Sequence, residues 1–295
     1  MEKAYIYPNF SKPIVYDTLS ELLQHLENAG IKALMSASAQ KRVTMRLGEE
    51  QAARIEFMPE PEACRCCDLI IAVGGDGTIL SAAENASKYD KPILGVNIGR
   101  LGFMSTLESN ELALISKLRG NDFALDRRMM LRVKVVDKKG NVRVESNVLN
   151  EVTVSKSVVS KGVGISVDVN GKKTISFIGD GVIICTPTGS TAYSLAAGGP
   201  ILEPTSDCIA VTPICPHSMH IKSFVAAAHN DICVRADFRT QKLLVSRDGH
   251  KPYLLKAGDS VQVEKSTASV SLIQLKEKGF YEIISEKFMG ERDKS

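Results

Sequence analysis

The first half of the chain switches repeatedly between two hydrophobic periods. Residues 4–7 read as a short strand, and Leu19, Leu22, Leu23 and Leu26 then fall on one face of a helix. Thr18 and Glu21 have the spacing of a capping box, which predicts a helix start there, and Gly30 stands where a C-cap glycine belongs. A second strand is predicted from Ile31. Residues 69–73 are apolar throughout, as in a parallel strand buried on both faces, and a glycine turn and the helix-like stretch 78–87 follow them. Residues 92–96 predict another strand, and residues 110–118 another helix. Strands alternating with helices predict a parallel sheet covered on both faces, an α/β unit of Rossmann-like type.

Near Leu125 the period becomes two. Val133 and Val135 open an alternating pattern, and Lys139-Gly140-Asn141 supplies turn chemistry. Val163, Ile165, Val167 and Val169 alternate strictly up to Asn170-Gly171, the dipeptide of a type I′ hairpin, after which Ile175 and Phe177 resume. Short strands are predicted at 209–212, 232–236, 243–246, 261–264 and 269–273. The second half is therefore expected to be all-β and sandwich-like. Phe280, Ile283, Ile284 and Phe288 share a helical face, predicting a terminal helix that packs back on the first domain. The expected division is residues 1–125, with about 277–295, as the α/β domain, and residues 126–276 as the β-rich one.

Composition narrows the function classes. The chain has 295 residues, 44% hydrophobic and 24% charged, enough to bury two cores. Its 37 basic and 34 acidic residues leave a formal charge of +3, and the basic ones are scattered, so no nucleic-acid partner is expected. No apolar run approaches the roughly 18 residues of a membrane span, so no membrane partner is expected either. The N-terminal MEKAYIYPNF lacks the apolar core of a signal peptide, and seven cysteines fit reduced thiols, so the cytoplasm is the expected compartment.

Three segments carry candidate chemistry. Gly74-Gly75-Asp76-Gly77-Thr78 follows a buried strand and precedes a helix. Its glycines let a ligand approach the backbone, and the N–H groups of the turn can cradle phosphate. A carboxylate there would repel phosphate unless Mg²⁺ or a hydroxyl proton stood between them; the plain alternative is Asp76 as a helix cap. Neither G-x-x-x-x-G-K-[ST] nor G-x-G-x-x-G occurs. The second segment runs from Gly179-Asp180-Gly181 through a strand into Thr186-Pro187-Thr188-Gly189-Ser190-Thr191-Ala192-Tyr193. Its four hydroxyls and a helix start predict an anion-binding edge, with Tyr193 available to stack on a base. The third is Asn150-Glu151, a polar pair inside an apolar strand, where one side chain needs a buried partner: a ribose diol or a neighbouring strand.

VGGDGT, NE, GDGVIICTPTGSTAY, GGPI and TPICPHS, in this order over about residues 69–249, resemble the NAD kinase family. The resemblance implies transfer of the terminal phosphoryl group of ATP, or of polyphosphate, to the 2′-hydroxyl of the adenosine ribose of NAD, with Mg²⁺ or another divalent cation accompanying the donor. It implies Asp76 as the catalytic base and Gly74, Gly75, Gly77 and Thr78 as the phosphate loop. Asn150 and Glu151 would hold ribose and nicotinamide-side groups, and Asp180 the dinucleotide. Thr191, Ala192, Tyr193, Ser194, Leu195 and Ala196 would line adenine and ribose, and Thr188 and Ser190 would join the NAD- and ATP-binding residues. Lys161, Ile178 and His250 occupy family contact positions whose identities vary. The resemblance also implies a homodimer or homotetramer, and a site between the domains.

This chain departs from the family pattern at Met219–Ser223, where an Arg-Pro pair is more usual, at Cys185 in place of serine and at His250 in place of glutamine. A GGDGT-type lipid or sugar kinase is the enzymatic alternative, disfavoured by PTGSTAY; a non-catalytic dinucleotide sensor is the other, disfavoured by the carboxylate of Asp76. Cys64-x-Cys66-Cys67 lacks a second cysteine pair, and Cys215, His217 and His220 are remote in sequence, so no metal site is expected. His217 reads as a hydrogen-bonded structural residue and His25 as a surface one.

Overall fold

The computed structural model describes residues 1–99, 102–157, 162–237, 243–277 and 279–289. The chain forms two compact units, Met1–Arg127 with Val270–Ser295, and Arg128–Ser269.

In the first unit five parallel strands lie in the order Ile93–Asn97, Leu69–Gly74, Lys3–Pro8, Lys32–Ser36, Ile55–Met58. From the central pair the connections run outward in opposite directions. The carboxyl ends of Lys3–Pro8 and Leu69–Gly74 therefore form a topological switch point, the usual place for a ligand crevice in such a sheet. Both Leu69–Gly74 and Ile93–Asn97 are buried at every position, which is why their sequences do not alternate.

The helix Val15–Asn28 buries Val15, Leu19, Leu22, Leu23 and Leu26, each apolar side chain contributing roughly 1.5–3 kcal/mol. It begins earlier than the expected start at Thr18, whose hydroxyl instead donates to Ile14 O at 3.2 Å. The turn at Pro13 already supplies acceptors, Lys12 O and Pro13 O, for the N–H groups of Val15 and Tyr16, so no side-chain cap is required. Gly30 does close the helix, at φ +67, with its N–H on Glu27 O. The segment expected as a helix over 110–118 is a 3₁₀ helix, Ser109–Leu118. Its buried side chains, Leu112, Ile115 and Leu118, recur every third residue, the period at which 3₁₀ side chains eclipse. Periodicity alone missed the helices Gln40–Leu47 and Glu60–Cys66.

The second unit is a sandwich of two antiparallel sheets. One contains Lys172–Gly179, Val163–Val169 and Ile232–Asp237, joined to Ser260–Gln274 and the hairpin of Ala124–Val136 with Val142–Val148. The other has the order Phe224–Ala227, Cys208–Ile214, Gly181–Cys185, Glu151–Lys156, Leu243–Arg247, Tyr253–Leu255. Their facing side chains, among them Val133, Val163, Ile165, Val152, Val182 and Ile184, share one core. Behind the second sheet Ile183, Cys185, Ala210 and Ile214 pack with Ala197 and Leu202, so the strand Gly181–Cys185 is buried on both faces. The predicted hairpin turn is present, with Asn170 at φ 49 and Gly171 at φ 74, as type I′ requires.

The strands expected at 261–264 and 269–273 are a single strand, Ser260–Gln274, which passes from the second unit into the first. Alternation breaks near Ser266 because its hydroxyl is drawn inward to Asn147 Oδ1 at 2.9 Å, which hides the continuity from a period count. The terminal helix, Phe280–Met289, packs in the first unit, where the Lys287 ammonium stands 3.9 Å from the Phe103 ring centroid.

Candidate active site

The glycine loop of the first unit occupies the switch point. Gly74 ends its strand, and a Cβ there would overlap Thr78 Oγ1, so packing alone demands glycine. Gly75 and Gly77 differ: a Cβ on either would enter open space. Nothing in the fold requires their small size, which leaves the backbone accessible to a ligand. Thr78 Oγ1 accepts the Gly75 N–H at 3.3 Å and completes the cap of the helix Asp76–Tyr89.

Asp76 does not cap that helix. Its Oδ2 accepts the Phe103 N–H at 2.7 Å and its Oδ1 the Met104 N–H at 3.1 Å, while a Cβ on Gly102 would overlap Oδ1. The carboxylate is thus fixed by backbone from a remote turn. Asn97 is buried and joins the same edge, accepting the Gly99 N–H at 3.1 Å and donating to Glu108 at 3.0 Å. A Cβ on Gly99 would come 2.6 Å from Lys12 Nζ, which places that ammonium over the end of the Ile93–Asn97 strand.

In the second unit two of the sequence motifs meet the segment that carries His250 at one sheet end. Glu151 pairs with Cys185, and Arg247 with Val152, so Asn150-Glu151, the segment after Cys185 and Asp248-Gly249-His250 are neighbours. Asp248, at φ 47, organises the first of these: Oδ2 accepts the Leu149 N–H at 2.6 Å, and Oδ1 accepts the N–H groups of Asn150 and Glu151 at 2.9 and 3.0 Å. Thr186 donates to Leu149 O at 2.6 Å, and a Cβ on Gly189 would overlap Asn150 O. Asn150 Oδ1, Glu151 Oε2 and Arg247 Nε are sealed from solvent without a hydrogen-bond partner, a concentration of unmet polarity that a ligand could satisfy.

The expected edge of four hydroxyls needs correction. Thr186 and Ser190 are fully buried and donate to Leu149 O and Pro187 O, Thr188 accepts from Arg128, and Thr191 donates to Thr188 O. Ser194 is likewise buried against Thr212 Oγ1 at 2.9 Å. These hydroxyls tie down a tight 3₁₀ turn, Thr188–Thr191, and the helix that follows, Tyr193–Ala196, has a single turn. Tyr193, by contrast, is 46% exposed, with Ala192 and Leu195 half-buried and Ala196 exposed beside it.

Asp180 and Ile178 lie at the other end of these strands. Gly181 pairs with Ser155, about 14 Å along the strand from Glu151 at roughly 3.4 Å per residue. Asp180 is held by Lys156 Nζ at 2.6 Å, and Ile178 is 55% exposed. His250 is exposed, with its N–H on Arg247 O. Lys161 lies outside the described residues.

Electrostatics single out the acidic pair. Burial, and then the charge of Asp248, push the Glu151 carboxyl from 4.5 up to about 7. Asp248 is also raised, because its loss of solvation outweighs three N–H donors. Cys64 and Cys67 are buried thiols pushed up to about 12 and about 11 by desolvation. Among the described residues no group of three or more His, Cys, Asp or Glu is placed to hold a metal ion. His217 packs against Gly162 and gives its N–H to Ile178 O at 2.8 Å.

Sequence reasoning overlooked Asp248, Lys12, Phe103 and Lys287. Asp248 had a signal, an acidic residue before glycine at the end of a predicted strand; the other three had none, since their partners come from distant parts of the chain.

Similarity to known proteins extends over both units. The ATP-NAD kinase N-terminal domain model matches residues 6–118 and the ATP-NAD kinase C-terminal domain model matches residues 149–275. A NAD kinase of Symbiobacterium thermophilum is 37% identical over 98% of this chain and 100% of its own length. A second, of Citrifermentans bemidjiense, is 34% identical over 99% and 100%. In fold, a yeast NADH kinase solved with NADH superposes with a TM-score of 0.87 at 22% identity, covering 98% of this chain and 88% of that one. A NAD kinase from Archaeoglobus fulgidus solved with ATP gives 0.68 at 24% identity, covering 100% of both chains. With both domain models matched and relatives this similar end to end, the chain belongs to the NAD kinase family, phosphotransferases with an alcohol group as acceptor.

Proposed function

We propose that the chain transfers the terminal phosphoryl group of ATP to the 2′-hydroxyl of the adenosine ribose of NAD. The bond from the transferred phosphorus to the β-phosphate oxygen breaks, a bond to the ribose oxygen forms, and the hydroxyl proton passes to Asp76. ADP and NADP are the products. The observation that carries this reading is the loop at the switch point. It presents a rigid carboxylate, with both oxygens fixed by backbone N–H groups, beside two glycines that leave open space. A purely structural cap needs neither feature. Phosphoryl transfer depends chiefly on positioning and on offsetting charge, and a carboxylate fixed in this way is suited to orient an attacking hydroxyl.

The second unit supplies dinucleotide recognition in this reading. Asn150 and Glu151 take ribose and nicotinamide-side groups, and their sealed, unpartnered oxygens support that role. Tyr193 offers an exposed ring for the adenine. Ser190, Thr188 and Ser194 shape the turn rather than touch the ligand with their hydroxyls. Thr191, Ala192, Leu195 and Ala196 border it, while Asp180, Ile178 and His250 belong to the outer parts of the dinucleotide site, and Lys161 keeps the ligand contact that the family resemblance implies. Mg²⁺ fits this residue set as a companion of the donor: it characteristically takes phosphate and water oxygens with one or two carboxylates and needs no protein cage. When bound it would neutralise phosphate charge, with Asp76 as the available carboxylate of the loop. Seven free cysteines support a reducing, cytoplasmic setting, and a homo-oligomer is the expected assembly.

The test is NADP formation by purified protein with NAD, ATP and Mg²⁺, read through an NADP-specific dehydrogenase. Asp76→Asn should bind NAD normally and lose turnover by about a thousandfold. Near wild-type turnover in that variant would remove the base from the reading. No product from wild type, with NAD binding intact, would turn it to a sensor.

A further inference from the structure

The C-terminal helix Phe280–Met289 brings a cation that no motif predicts to the turn that fixes Asp76. Lys287 is half-buried, and its ammonium stands 3.9 Å from the centroid of the Phe103 ring. Phe103 is the residue whose N–H binds Asp76 Oδ2 at 2.7 Å, and the next N–H, of Met104, binds Oδ1. Gly102, just before them, lies so close that any side chain would strike that carboxylate. One turn of three residues therefore holds the Asp76 carboxylate with its backbone and the Lys287 ammonium with its ring.

An ammonium that gives up part of its hydration for an aromatic face gains only a modest electrostatic attraction from the ring. It needs a further reason to remain there as a cation. Burial lowers the Lys287 pKa, and the charge that acts against this lowering is that of Asp76. A surface lysine would extend into water; this one is held on the Phe103 ring.

We propose that Lys287 is a positioning residue for Asp76: its charge, seated on the Phe103 ring, holds in place the turn whose backbone N–H groups fix the loop carboxylate while an anionic phosphoryl donor comes up against it. The inference rests on the kinase reading above. Approach of a nucleoside triphosphate pushes against the negative charge of Asp76, and a cation seated on Phe103 helps the turn hold the carboxylate against that push. In this role Lys287 makes no contact with the acceptor, so recognition of NAD is left unchanged.

The experiment compares wild type, Lys287→Met and Lys287→Arg in the NADP-forming assay, with thermal melting of each. Methionine keeps the stem that packs across Phe103 and removes the charge. The expected result is a kcat lowered roughly 10- to 100-fold in Lys287→Met, with KM for NAD within about twofold and melting unchanged, and recovery of most of kcat in Lys287→Arg. Wild-type kcat in Lys287→Met overturns the proposal, as does a loss in both variants that follows a lowered melting temperature. A raised KM for NAD at constant kcat also overturns it, because it would make Lys287 a binding residue. If wild type makes no NADP, the kinase reading fails and the proposal with it. If wild type is active and Lys287→Met equals it, the kinase reading stands and only the proposal fails.

Discussion

Glu151→Gln removes a carboxyl that the fold keeps protonated beyond its ordinary range. In the unfolded chain this group ionises near 4.5; in the folded protein burial and the neighbouring Asp248 move it to about 7. Between those two values the folded state binds more protons than the unfolded one, so stability falls as pH rises through the window. At roughly 1.4 kcal/mol per pKa unit the full penalty is about 3 kcal/mol, present above the folded pKa and absent below the unfolded one. Between about pH 5.5 and about pH 8.5 it should grow by about 2 kcal/mol. Glutamine keeps the shape and does not ionise, so its stability should lack this component. The measurement is urea unfolding by far-UV circular dichroism at both pH values and constant ionic strength; the sequence has no Trp, which makes intrinsic fluorescence a weak probe. The quantity of interest is the difference between wild type and Glu151→Gln, since acids common to both largely cancel. The variant should gain on wild type by about 2 kcal/mol from the lower to the higher pH. Parallel pH dependences would show that Glu151 is already ionised in the fold and that its burial carries no such cost.

Two further perturbations separate structural demands from those of the ligand. Gly75→Ala places its methyl in open space and should change stability by less than about 0.5 kcal/mol while weakening ATP binding, measured by calorimetry. Gly189→Ala drives a methyl into the Asn150 carbonyl and should cost about 2 kcal/mol or more in urea unfolding. Equal stability losses in the two variants would defeat the distinction. Asp248→Ala strips the acceptor from the N–H groups of Leu149, Asn150 and Glu151 and should cost about 3 kcal/mol. It should also lower the apparent pKa of Glu151 by removing a like charge, which carboxyl-resolved NMR titration would register; an unmoved Glu151 would contradict the coupling.

What the sequence made legible was chemistry that is local in the chain. The type I′ turn at Asn170-Gly171, the closing glycine at Gly30 and the buried run Leu69–Gly74 each depend on residues within one element, and each appears in the structure as expected. The hydroxyl-rich stretch after Cys185 shows the limit of that kind of reading. Composition marks it as polar, but a hydroxyl can serve a ligand or its own turn, and direction decides between the two. Ser190 closes its turn by donating to Pro187 O and accepting the Leu202 N–H, so it is spent inside the fold. The helix start misplaced at Thr18 has the same origin, since a capping-box spacing inside a helix looks like one at its end.

The partners that fix the polar groups of the motifs come from far along the chain, and this explains both what the motifs contain and what they omit. Asp76 is held by N–H groups at Phe103 and Met104, and Asn150-Glu151 by the carboxylate of Asp248. In each case a backbone N–H supplies one side of the bond, and a backbone N–H leaves no trace in residue identity. A motif reader therefore sees Asp76 and not the turn that aims it. The trace that does remain is steric: Gly102 and Gly189 are glycines because the carboxylate of Asp76 and the backbone of Asn150 come too close for any side chain. Glycines of this kind, without positive φ, mark where another segment closes on the chain, and here both lie against residues of the recognised motifs.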